Sequence, residues 1–215
     1  MSSGIFIHFG SGHFATVLRD LAAIEPVIAH ELTHACVAHL PIPAWLNEGM
    51  AVNTEMRLSH TAALADLPQK IHRDLQRYWT VDTIQEFWCG TSFIAASEGC
   101  DLSYQLGRIM VEQMAIDWPS FESFAKSANR SDSGQNAAEQ HLGASLGAYV
   151  AALLEKEYTA EWEPDPGSWQ REPEKGAFRI WEMVRVQPNA ATHNRENAGP
   201  KRPVATSAHR LSSRF

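Results

Sequence analysis

The chain has 215 residues, with 44% hydrophobic and 20% charged side chains, enough apolar material for one core of ordinary size. Its net charge of −7 is unevenly spread: residues 193–215 carry five basic side chains against one acid, and the rest hold 13 basic and 24 acidic ones, a balance of −11. So acidic a body argues against a nucleic-acid partner, which needs a positive surface, and the apolar runs are too short and too interrupted for a membrane span.

The N-terminal residues Met1 to Phe9 lack the basic and long apolar regions of a signal peptide, so a cytoplasmic protein is expected. The three cysteines, Cys36, Cys89 and Cys100, are an odd count at no metal-ligand spacing and are expected as free thiols. Residues 4–9 alternate around Ile5, Ile7 and Phe9 and read as one strand; after Gly10-Ser11-Gly12 the pattern turns helical. The best helix spans 26–40. Pro26 suits its first turn, and Val27, Ile28, Leu32, Ala35 and Cys36 form an apolar stripe. Pro41 and Pro43 end it, and a second helix follows over 44–58.

Further helices are predicted over 67–78, 81–88, 101–117, 119–129, 133–142 and 144–158, with Asp101 as an N-cap and Gly143 separating the last two. Residues 163–176 lose periodicity. The expected organisation is a domain over 1–162, a linker with a short packed extension over 163–186, and a disordered basic tail over 187–215. The fold class is mainly α, formally α+β, with a small N-terminal β element.

The chemistry concentrates in His30-Glu31-Leu32-Thr33-His34. Histidines at i and i+4 project from one helical face, so both imidazoles can bind one ion without bending the backbone. Glu31 lies beside that face, where it can reach a water on the ion without ligating it. Eleven residues after His34 the second helix carries Trp45-Leu46-Asn47-Glu48-Gly49-Met50-Ala51. A proline-bounded turn returns this helix beside the first and can bring Glu48 to the histidines as third ligand. Glu55, two turns further along the same face, is a candidate partner for a ligand imidazole N–H, as is Asn47.

The pairing of His30-Glu31-x-x-His34 with Trp45-Leu46-Asn47-Glu48-Gly49-x-Ala51 resembles the gluzincin metallopeptidases and the peptidase MA-like bacterial domains. The match is close over residues 27–57. It runs more loosely through Ser103-Tyr104-Gln105-Leu106-Gly107 to about residue 155. The resemblance implies a zincin-like helical domain and Zn2+ held by His30, His34 and Glu48. It implies Glu31 as catalytic base, a peptide or protein substrate, and hydrolysis of its peptide bond. Gluzincins also place a proton donor across the site, and Tyr104, 56 residues past Glu48, is similar in position. His141 is a weaker candidate.

Two departures matter. The Gly-x-Met-Glu-Asn motif of M1-type aminopeptidases has no counterpart in the 29 residues before His30, which argues against an aminopeptidase. Those residues also hold only one or two strands, where zincins have a larger sheet with an edge strand for the substrate backbone. The alternative expectation is therefore a non-catalytic zincin-like metal-binding or protein-interaction module; a helical interaction protein with a coincidental motif is a third. No phosphate loop and no Gly-x-Ser-x-Gly elbow is present. Cys36 is expected as a packed thiol, and Trp45 as a wedge in the turn beside the site.

Overall fold

The computed structural model describes residues 4–8, 12–16, 24–58 and 68–170, the first two segments by their backbone alone. The fold is mainly helical. The elements run β1 (Gly4–His8), β2 (Gly12–Thr16), α1 (Ile24–Val37), α2 (Ala44–Leu58), α3 (Pro68–Tyr78), α4 (Ile84–Trp88), α5 (Glu98–Met114), α6 (Trp118–Ser127), α7 (Gln135–His141) and α8 (Leu146–Leu153). Short 3-10 turns at Thr91–Ile94, Arg130–Asp132, Ala160–Trp162 and Ser168–Gln170 join or follow them.

β1 is the expected strand, but it does not stand alone. Residues 12–16, where a helical pattern is expected to begin after Gly12, pair antiparallel with it, with Phe6 opposite Phe14 and Ile7 opposite His13. A lone strand leaves its backbone donors and acceptors unpaired, and His13-Phe14-Ala15-Thr16 supplies the aromatic and β-branched residues that suit a partner strand. The hairpin lies alongside α1.

α1 ends where the sequence demands it, before Pro41 and Pro43, and α2 restarts as the Asn47 amide donates to the Pro43 carbonyl at 3.1 Å. Of the expected apolar stripe of α1, however, only Val27 is buried. Val27, His30 and Glu31 are buried, while Ile28 and Leu32 are 38% and 44% exposed and Cys36 is exposed as well. The histidine face turns inward because α2 offers it carboxylate and amide partners, and a buried imidazole is tolerated only with such partners. Cys36 is thus a surface thiol rather than a packed one. All three cysteines are free, as expected.

α2 is the central element: it packs against α1 on one side and α5 on the other. Trp45, fully buried, is the hub of the core rather than a wedge in the turn. Its ring lies about 6 Å from those of Phe87, Trp88 and Phe124. Its indole N–H donates to both the carbonyl and the hydroxyl of Ser133 at 3.0 Å, so this buried donor is satisfied, whereas the Trp79 indole N–H in the same cluster has no hydrogen-bond partner among the described residues. Leu46, Leu75, Trp79, Ile84, Leu106, Met110, Leu146 and Leu154 complete the core.

α5 begins three residues before its expected start. Ser97 is the N-cap residue and Asp101 falls inside the helix, where an acid favours the first turn through the helix dipole. Gly143, at φ +68, separates α7 from α8 as expected. The chain does not loosen at residue 163. Glu163 accepts from the Ser145 hydroxyl at 2.5 Å and the Gly147 amide at 3.0 Å, while Gln85 binds the Asp165 amide at 3.0 Å and the Trp169 indole at 3.1 Å. The expected remainder of the linker and the basic tail lie outside the described residues, as does the whole of the second unit, Arg179–Phe215. No helix among the described residues is long and apolar enough to cross a membrane.

Candidate metal centre

The spacing of His30 and His34 puts one ring above the other on α1, 4.8 Å apart between centroids and edge to face at 81°. α2 runs antiparallel beside them, since His30 meets Glu55 late in α2 and His34 meets Asn47 early in it. This return path carries Glu48 between the two rings: its Oε2 is 3.6 Å from His30 Nε2 and 3.6 Å from His34 Nε2. One nitrogen or oxygen from each of the three residues lies within 4.8 Å of the others. Ligands of a tetrahedral zinc at about 2.0–2.1 Å stand roughly 3.3 Å apart, so these tips need to close by only a few tenths of an ångström up to about 1.5 Å. Two imidazoles and a carboxylate on a half-open site are a donor set of the kind that zinc accepts while leaving a fourth position free. His30 is 3% exposed, whereas the Glu48 and His34 side chains are 22% and 16% exposed, so the site opens on the His34–Glu48 side.

Both imidazoles are held from behind. His30 Nδ1 donates to Glu55 Oε2 at 2.9 Å, and His34 Nδ1 donates to Asn47 Oδ1 at 3.0 Å. A carboxylate only accepts, so Glu55 keeps the His30 proton on Nδ1 and turns Nε2 toward Glu48. The amide oxygen of Asn47 does the same for His34. Glu55 and Asn47 are thus the hydrogen-bond partners of the two imidazoles on the side away from Glu48. Burial alone would lower the pKa of His30, but hydrogen bonds and charge from Glu48 and Glu55 outweigh it and raise the value to about 9. Without a metal, His30 is the positive charge that lets two carboxylates share this space.

Glu31 is buried at 5% exposure, next to His30 on α1. Tyr104 projects from α5, half-buried, with its ring edge-to-face on Phe93 at 5.3 Å between centroids. Burial pushes its phenol well above the usual range, and the negative charges of Glu48, Cys100, Glu31 and Asp101 push it further. Tyr104 thus lies within electrostatic reach of both Glu48 and Glu31, and its hydroxyl keeps its proton. His141, by contrast, bonds to Ser127 through Nε2 at 3.1 Å, joining α7 to α6.

Cys100 is a neighbour that the sequence did not single out. One turn before Tyr104, its thiol is held up by burial, then by Asp101 and Glu48, and donates to the Phe93 carbonyl at 3.2 Å. Its place at i−4 from Tyr104 was the available signal. The contact of Gly49 with Gly107, described below, was equally unmarked in the sequence.

These elements define a mainly helical protein with a three-residue candidate site for a divalent cation, formed where two antiparallel helices meet. No protein-family model, curated protein or solved structure matches the chain.

Proposed function

We propose that the chain is a zinc-dependent peptide-bond hydrolase of the gluzincin type. The observation that carries this reading is the convergence of His30, His34 and Glu48, with each imidazole oriented from behind by Glu55 or Asn47. Zinc in that position would act as a Lewis acid on the scissile carbonyl and lower the pKa of water toward 7.

The chain's own groups supply the remaining steps. The Glu31 carboxylate accepts a proton from the attacking water and delivers it to the departing amide nitrogen. Its burial beside His30 keeps bulk water from competing for that proton. The Tyr104 hydroxyl donates a hydrogen bond to the carbonyl oxygen as that oxygen gains negative charge, a contribution of about 3–4 kcal/mol for such donors. The hairpin beside α1 has an unpaired edge on each strand among the described residues, in keeping with a substrate main chain adding as a further strand. Three free thiols are in keeping with a reducing compartment such as the cytoplasm.

The test is zinc content and peptide cleavage measured on the same preparations. Glu31→Gln is expected to keep its zinc and lose most turnover, and His34→Ala and Glu48→Ala to lose the metal. Full turnover by Glu31→Gln would overturn the role of the base.

The small size of the β element among the described residues favours a second reading, a zincin-like module that binds metal or a protein partner without catalysis. Stoichiometric zinc together with no cleavage across a mixed peptide library would select it over the first.

A further inference from the structure

α2 and α5 approach unusually closely at one point. A side chain at Gly49 would stand 2.8 Å from the carbonyl carbon of Gly107 and 2.8 Å from Val111 Cγ2; one at Gly107 would stand 2.9 Å from the Trp45 carbonyl oxygen. Only glycine at both positions lets the two backbones touch. The crossing lies beside the chemistry. Gly49 follows Glu48 directly, and Gly107 stands one turn beyond Tyr104 on α5.

Smooth glycine surfaces bring helices together but do not stop one from turning or sliding on the other. Asn53 supplies that restraint. Its half-buried side chain lies one turn beyond Gly49, and its Nδ2 donates to the Gly49 carbonyl at 2.8 Å and to the Arg108 carbonyl at 2.9 Å. Both neighbours are carbonyl oxygens, which only accept, so the amide nitrogen is the end that faces them. Each NH2 hydrogen is thereby used, one on each helix.

We propose that Asn53 is a positioning residue that pins α5 to α2 through the Arg108 carbonyl and so fixes Tyr104, one turn before Gly107 on α5, relative to the helix that carries Glu48. It touches neither the metal ligands' donor atoms nor a substrate and acts through Tyr104. The catalytic part of this inference rests on the hydrolase reading above; the positioning part does not.

The test is a double-mutant cycle of Asn53→Ala with Tyr104→Phe, read as kcat on a cleaved peptide, with 19F NMR of the protein carrying 3-fluorotyrosine. Asn53→Ala is expected to lower kcat about tenfold when Tyr104 is present and less than about twofold when it is already Phe. Ser145→Ala, which removes the α8 cap, serves as a destabilised control with unchanged kcat. In metal-free protein the Tyr104 fluorine resonance, assigned by its loss in Tyr104→Phe, is expected to shift or broaden in Asn53→Ala, while those of the other three of the four tyrosines stay in place. Equal losses of kcat in both backgrounds, or an unmoved Tyr104 resonance, would overturn the proposal. A wild type with no hydrolysis would refute the hydrolase reading instead, and the fluorine spectrum would still decide whether Asn53 positions Tyr104.

Discussion

The Nδ1 of His30 meets Oε2 of Glu55 at 2.9 Å, across 25 residues of chain and between two helices. That one contact selects the tautomer of His30, turns its Nε2 toward Glu48, and helps hold its pKa near 9 against burial that would lower it. It also couples the candidate metal centre to pH.

In the metal-free protein the folded pKa of His30, about 9, exceeds the ordinary value of 6.5 that holds when the chain is unfolded. The stability this group adds is fully present below pH 6.5 and is lost as pH rises through 9. Thermal denaturation of the metal-free protein between pH 6.5 and 9 is expected to fall more steeply in wild type than in Glu55→Gln. Parallel curves would contradict the assignment.

The same proton competes with zinc. Uptake at pH 7.5 is expected to release the proton of His30 Nε2, and affinity to climb as pH rises toward 9. Calorimetry in two buffers of different ionisation enthalpy counts that proton directly; buffer-independent heats would argue that Nε2 was already free.

Removing the groups behind the imidazoles should weaken the site without abolishing it. Asn47→Ala and Glu55→Gln are each expected to lower zinc affinity about 10- to 100-fold, measured by competition with a chelator. The two should act independently, because Asn47 serves His34 and Glu55 serves His30.

Much of this site was legible in the sequence because its geometry is local. Two histidines four apart must share a helix face, and Pro41 and Pro43 force a turn that returns α2 over 44–58, the span expected. What was not legible depends on a partner distant in the chain. The stripe of Ile28, Leu32 and Cys36 is apolar by composition, yet α2 offers its polar partners to the opposite face, and that face is the one buried. β2 was missed because five residues of strand are recognised mainly through the strand they pair with. The Gly49–Gly107 contact joins positions 58 apart, and no period in either helix announces it.

Tyr104→Phe removes a donor whose proton is held firmly at neutral pH. It is expected to lower kcat about 10²- to 10³-fold with little change in KM and none in zinc content. A rise in KM alone would assign Tyr104 to substrate binding instead.

Trp45 fixes the fold around the site. Trp45→Ala removes a fully buried indole and leaves the carbonyl and hydroxyl of Ser133 without their donor, so a loss of about 3–5 kcal/mol in denaturant-induced unfolding is expected. A loss below about 1 kcal/mol would mean that the aromatic cluster is not the core's keystone.

The most direct test of the central claim is X-ray absorption at the zinc edge on protein equilibrated with one equivalent of the metal. The predicted spectrum has nitrogen and oxygen neighbours at about 2.0–2.1 Å, with the outer scattering of two imidazoles. In His34→Ala the second imidazole should disappear. A shell containing sulfur at about 2.3 Å, or one that is the same in wild type and His34→Ala, would contradict a site built from His30, His34 and Glu48.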